Sequence, residues 1–193
     1  MIGNYDFARR AAWIAIIGGS FQILYGLLAI FFPYSSDSPF GWEEALWIVA
    51  CIGMAGAIVG MLVLDAGKPG WLAWLGGISA LIGVLIRIIA AILIIMQSSY
   101  DPLTLILLSI VLMLGGMLAL GIALLRGDLI KGWKAWTPIL VSVFGLIVTA
   151  LFSVSLFIHF ILLGLWGLTW MLVAYVVINH VSSSKIQATT SAS

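Results

Sequence analysis

Apolar residues run through this chain in six long stretches, and polar residues are confined to the short breaks between them. A helix needs about 20 mostly apolar residues to cross the hydrocarbon core of a bilayer. The stretches 11–32, 44–64, 71–96, 103–125, 138–154 and 157–178 meet that requirement. They predict an all-α membrane protein with six transmembrane helices. Lys68-Pro69-Gly70, Asp101-Pro102 and Thr137-Pro138 place proline near the first turn of the third, fourth and fifth helices, where its missing N–H costs nothing. No charge or Gly-Pro break divides 138–178. One helix of that length would measure about 60 Å at 1.5 Å per residue, twice the bilayer core, so the chain must turn. Ser153-Val154-Ser155 is the expected place, because hydroxyls there can satisfy freed backbone groups.

Composition strengthens this reading. Hydrophobic residues make up 64% of the 193 and charged residues 8%, against about 25% charged in ordinary soluble domains. The net charge of +1 offers nothing to a nucleic acid. The first apolar run is too long for the core of a signal peptide and reads as a retained helix. Six spans leave Arg9, Arg10, Lys68, Arg126, Lys131, Lys134 and Lys185 on one side. Asp37, Glu43, Glu44 and Asp101 fall on the other. The positive-inside rule then puts both termini in the cytoplasm. Trp13, Trp71, Trp74, Trp133 and Trp136 fit the cytoplasmic interface and Trp42 and Trp47 the outer one, while Trp166 and Trp170 lie deeper and are expected to pack on other helices.

A period of about 61 residues shows in two corners: Gly60 to Leu64 followed by Gly70-Trp71-Leu72-Ala73-Trp74, and Gly121 to Leu125 followed by Gly132-Trp133-Lys134-Ala135-Trp136. Trp13 occupies the matching place ahead of the first helix. The pattern divides a single membrane domain into three hairpins, 8–66, 67–128 and 129–180, with a polar, disordered tail over 181–193. Each unit holds an even number of spans, so the repeats run parallel, related by an axis near the membrane normal. Small residues Gly53, Gly56, Ala57 and Gly60 on the second helix, and Gly115, Ala119 and Ala123 on the fourth, are expected to let backbones approach closely. Gly56 and Gly60 are read as an intrachain contact in preference to a dimer seam.

Candidate chemistry is sparse. Arg87 is the one clear charge inside a span, and such a charge needs compensation. An outer carboxylate such as Glu44 or Asp101, a lipid phosphate or backbone carbonyls could supply it, and burial against the bundle or a partner is favoured over snorkelling. Gln22, in the middle of the first span, is expected to hydrogen-bond a neighbouring helix. Mid-span carboxylates for a proton relay are missing from the sequence. His159 and His180 stand about 30 Å apart along one helix, too far to share a haem. Ser20, Ser79 and Ser109 read as packing residues and Cys51 as a small buried apolar group. These patterns point to a non-enzymatic protein with no catalytic, cofactor-binding or metal site, leaving Arg87 and Gln22 as its intramembrane polar candidates.

Arg9-Arg10 before a glycine-containing first helix ending in Phe31-Phe32-Pro33, the Lys131-Gly132-Trp133 corner and the three-hairpin layout resemble the HdeD acid-resistance membrane protein family. The resemblance covers nearly the whole chain. It implies a small multi-pass protein of a prokaryotic cytoplasmic membrane, supporting tolerance of acid or envelope stress. The short third outer turn and Arg87 depart from the family pattern. Membrane lipids are the expected partners, with other membrane subunits or a homo-oligomer as further possibilities and no nucleic acid. The alternative is a small accessory or scaffold subunit of a respiratory, photosynthetic or transport complex, binding lipid or pigment.

Overall fold

The computed structural model describes residues 2–32, 42–65, 70–96, 102–127, 130–152 and 154–190. Its elements are α1 (Ile2–Phe31), α2 (Trp42–Asp65), α3 (Trp71–Ile95), α4 (Leu103–Arg126), α5 (Thr137–Leu151) and α6 (Leu156–Thr190), with a 3₁₀ turn over Gly132–Trp136 ahead of α5. All six spans are long and apolar enough to cross a membrane. The protein is an all-α, multi-pass integral membrane protein.

Three ends differ from expectation, and one is the start of α1, at Ile2 rather than 11. The fifth span starts at Gly132 rather than at 138, because the 3₁₀ turn runs directly into α5. Alone, the 15 residues of α5 would span about 22 Å. The five residues of the 3₁₀ turn add about 10 Å at 2.0 Å per residue, which restores the bilayer thickness. Gly132 begins that turn at φ 69°, a conformation that a Cβ would strain. Its counterpart in the earlier corner, Gly70, is extended at φ −60°. The third difference is at the C-terminal end, where α6 continues past 180 to Thr190. The break between α5 and α6 falls where the sequence placed it. The N–H groups of Val154 and Ser155 donate to the Leu151 carbonyl at 3.1 and 3.3 Å. Ser155 Oγ accepts weakly from the N–H of Ile158 at 3.5 Å. Ser153 lies outside the described residues.

The helices close a ring in chain order. α1 packs between α2 and α6, α3 against α2 and α4, and α5 against α4 and α6; α2 also touches α6. Lipid gives helices no hydrophobic reason to associate, so closeness of approach decides. A methyl built on Gly53 of α2 would lie 2.5 Å from the Cα of Gly18 on α1. One on Gly26 would lie 2.6 Å from the Cα of Gly164 on α6, and one on Gly116 of α4 would lie 2.5 Å from the backbone of Gly76 and Ala80 on α3. Gly56 and Gly60 are likewise spent inside the chain, against Ala11 and Ala8 of α1. On α4, Ala119 of the expected stripe meets Gly76 of α3 and Ala123 packs against the core, but the first member departs. Gly115 faces open space, and its neighbour Gly116 makes the contact with α3.

The tryptophans divide as their settings require. Trp13, Trp71, Trp74, Trp133 and Trp136 are exposed on the bundle surface, as suits an interfacial ring. Trp166 and Trp170 are buried and packed on each other, tilted, at a 6.0 Å centroid separation. Trp47, near the start of α2, is buried within the bundle. Cys51 is a buried free thiol.

Candidate functional site

Among the described residues, the ion pair that joins two helices lies towards the end of the bundle remote from both termini. Arg87 lies eight residues before the last residue of α3, Ile95, or about 12 Å along the axis. Glu44 is in the first turn of α2. The two form an ion pair through both guanidinium fork nitrogens, Nη1 to Oε2 at 3.0 Å and Nη2 to Oε1 at 3.4 Å. A two-pronged contact of this kind uses the planar geometry that lysine lacks. Side-chain exposures of 13% for Arg87 and 17% for Glu44 place the pair where water competes little for it. The pair fastens α2 to α3.

Aromatic rings underlie the pair. The Arg87 guanidinium carbon lies 5.2 Å from the centre of the Trp47 ring, within cation–π range. Trp47 packs against Tyr25 of α1 at 5.4 Å, and Tyr25 meets Phe160 of α6 edge-on at 6.4 Å. Burial of Trp47 thus serves the arginine, while its indole nitrogen has no hydrogen-bond partner among the described residues.

Beside the pair opens a cavity of about 510 Å³. Tyr25, Ala29 and Ile30 of α1, Glu43 and Glu44 of α2, Phe152 at the end of α5, and Leu156, Phe157, His159 and Phe160 of α6 line it. Glu43 is buried beside Glu44. His159 Nδ1 lies 3.0 Å from the Val148 carbonyl. A carbonyl oxygen can only accept, so Nδ1 carries the hydrogen and the neutral ring keeps a lone pair on Nε2.

Gln22 is fully buried, and its Nε2 donates to the Leu163 carbonyl of α6 at 3.1 Å, while Oε1 has no partner among the described residues. It ties α1 to α6 and stands apart from the cavity lining. Of the three span serines, Ser79 bridges helices, donating to the Leu112 carbonyl of α4 at 3.2 Å. Ser20 and Ser109 bond their own helix, at the Ile16 and Ile106 carbonyls. Two further bridges escaped the sequence reading: Ser142 Oγ to the Leu114 carbonyl, and Trp166 Nε1 to the Val141 carbonyl at 2.9 Å. Glu43, His159 and the aromatic wall were missed as a group, since they come from helix ends 109–116 residues apart in the chain. The only signal was a Glu-Glu pair opening one apolar run and a histidine opening another. Among the described residues, no group of three His, Cys, Asp or Glu side chains is placed to share a metal ion.

Comparison with protein-family models, with curated proteins and with solved structures finds no match to this chain.

Proposed function

We propose that this is a non-enzymatic protein of a prokaryotic cytoplasmic membrane, HdeD-like in role, that supports tolerance of external acid or a related envelope stress. Both termini face the cytoplasm in this reading, so the Arg87–Glu44 end faces outward. The observation that carries it is the ion pair itself. Loss of the Glu44 charge would leave a largely buried arginine without its partner, which is costly, and would loosen the link between α2 and α3. The other titratable groups around the pair are Tyr25 from α1 and Glu43 and Cys51 from α2, with His159 of α6 across the cavity; Trp47 supplies the face beneath the guanidinium.

Deletion of the protein from its host should reduce survival after an acid challenge, with rescue by the native chain and not by Glu44→Gln. Equal survival of the deletion strain overturns the reading. Cysteines placed at Leu103 and Gly127, in a Cys51→Ala background, should label from outside and inside respectively; the reverse pattern overturns the orientation.

The accessory-subunit reading draws on a different feature. Leu75, Ile78, Ile82, Leu85 and Ile89 form an exposed apolar face along α3, suited to lipid or to a neighbouring membrane protein. Purification in mild detergent as a stoichiometric larger assembly would favour it.

A further inference from the structure

We propose that the cavity beside the Arg87–Glu44 pair binds an amphipathic organic ammonium ion, with the charge held by Glu43 and the apolar part against the phenylalanines. The inference is independent of the stress role and would stand if deletion had no acid phenotype.

Charge accounting selects a cation. Glu44 is already engaged by Arg87 through both fork nitrogens. The guanidinium charge is thereby matched, with Trp47 below it, which makes it a poor site for an anion. Glu43 is the charge left over. It is 7% exposed, lines the cavity, and has no hydrogen-bond or ion-pair partner among the described residues. Burying a carboxylate without a partner is unfavourable unless a cation or donor meets it. His159 adds an acceptor, because its Nδ1 hydrogen is spent on Val148. A ligand that keeps Glu43 ionised would therefore bring positive charge.

The walls select an organic cation over an inorganic one. Among the described residues no three-ligand metal set exists. Rings of Tyr25, Phe152, Phe157 and Phe160 face the cavity, and aromatic faces attract ammonium groups within about 6 Å. The volume of about 510 Å³ fits a small organic molecule. Phe152, Leu156 and Phe157 are also among the exposed large apolar residues. The rim is thus greasy on the side of the α5–α6 turn, and a ligand with a hydrocarbon portion can enter along it. An aminophospholipid headgroup and a free amphipathic amine share this chemistry.

The test is equilibrium dialysis of the purified protein in dodecyl maltoside with benzyltrimethylammonium, corrected for empty micelles. Neopentylbenzene, which carries carbon in place of the nitrogen, serves as the neutral control. Saturable binding of one cation per chain is expected, with no saturable binding of the control. Glu43→Gln should weaken binding about tenfold or more, since a desolvated charge pair is lost. Phe157→Leu, a mild change at an exposed ring, should weaken it about threefold. Thermal melts of both variants check that the bundle persists. Should Glu43→Gln fail to fold, the Phe157→Leu result and the neutral control decide the matter. Added phosphatidylethanolamine that competes with the probe identifies the headgroup as the source; absence of competition identifies a free amine. Non-saturable binding, equal binding of neopentylbenzene, or full affinity in a folded Glu43→Gln protein overturns the proposal.

Discussion

The helix crossings and the remote end of the bundle are held by opposite means. At the crossings, Gly18 meets Gly53, Gly26 meets Gly164, and Gly76 with Ala80 meets Gly116, with backbone on backbone. Nothing charged takes part, and dispersion between closely approached helices does the work. At the remote end, Arg87, Glu44, Trp47 and Tyr25 hold α1, α2 and α3 through charge and ring contacts. A crossing of this kind fails when an atom is added. An ion pair fails when a partner is removed. The two regions should therefore respond differently to the same mutagenic scan.

The largest effect is expected at a crossing. Gly53→Leu drives a side chain into the Gly18 backbone, which cannot move aside without parting α1 from α2. Overpacking of that kind costs about 3 kcal/mol, read as a lowered melting temperature in detergent. Gly115→Leu, on the open side of α4, should stay within about 0.5 kcal/mol of the native protein. Equal loss at both positions would show that the close approach is not what holds the helices.

Next comes the ion pair. Arg87→Leu leaves Glu44 largely buried and unpaired, at a cost of about 2–3 kcal/mol. Arg87→Lys should recover only part of it, because the fork is lost. The double change Arg87→Leu with Glu44→Leu should restore most of the stability, since removing both charges ends the desolvation problem. A double variant as weak as the single one would show that Arg87 acts through something other than Glu44.

Smaller effects belong to the hydrogen bonds that join helices. Trp166→Phe removes the donor to Val141 and should cost about 1 kcal/mol. Ser79→Ala, which removes the bond to Leu112, should cost about 0.6 kcal/mol, the usual size for such a contact in a bilayer. Denaturant titration in micelles can rank the two. A loss at Ser79 larger than that at Trp166 would reverse the order.

Much of the fold was legible because a membrane restricts the choices. Span number, the α5–α6 break at 151–156 and the intrachain use of Gly56 and Gly60 all follow from the apolar runs and small residues. The fifth span was misjudged at its start because Gly132–Trp136 carries a lysine and two tryptophans, which read as a loop; a 3₁₀ turn continues the helix there. The α4 contact was read one residue early because Gly115 and Gly116 are adjacent and only the partner helix chooses between them. Arg87 was identifiable as a cost needing compensation, and Glu44 stood among its possible partners. That Trp47 would sit beneath it was not legible, since interfacial placement suits a tryptophan near a helix end equally well.

The sequence by itself determined that this chain lives in lipid, crosses six times and carries one arginine that must be answered, because the bilayer penalises every unsatisfied polar group. Only the tertiary structure decided which carboxylate answers it and which is left over. Glu43 and Glu44 are neighbours in the first turn of α2 and chemically alike. Successive helix positions point about 100° apart, so the rotation of α2 against α3 and α6 gives Glu44 to Arg87 and leaves Glu43 in the aromatic cavity.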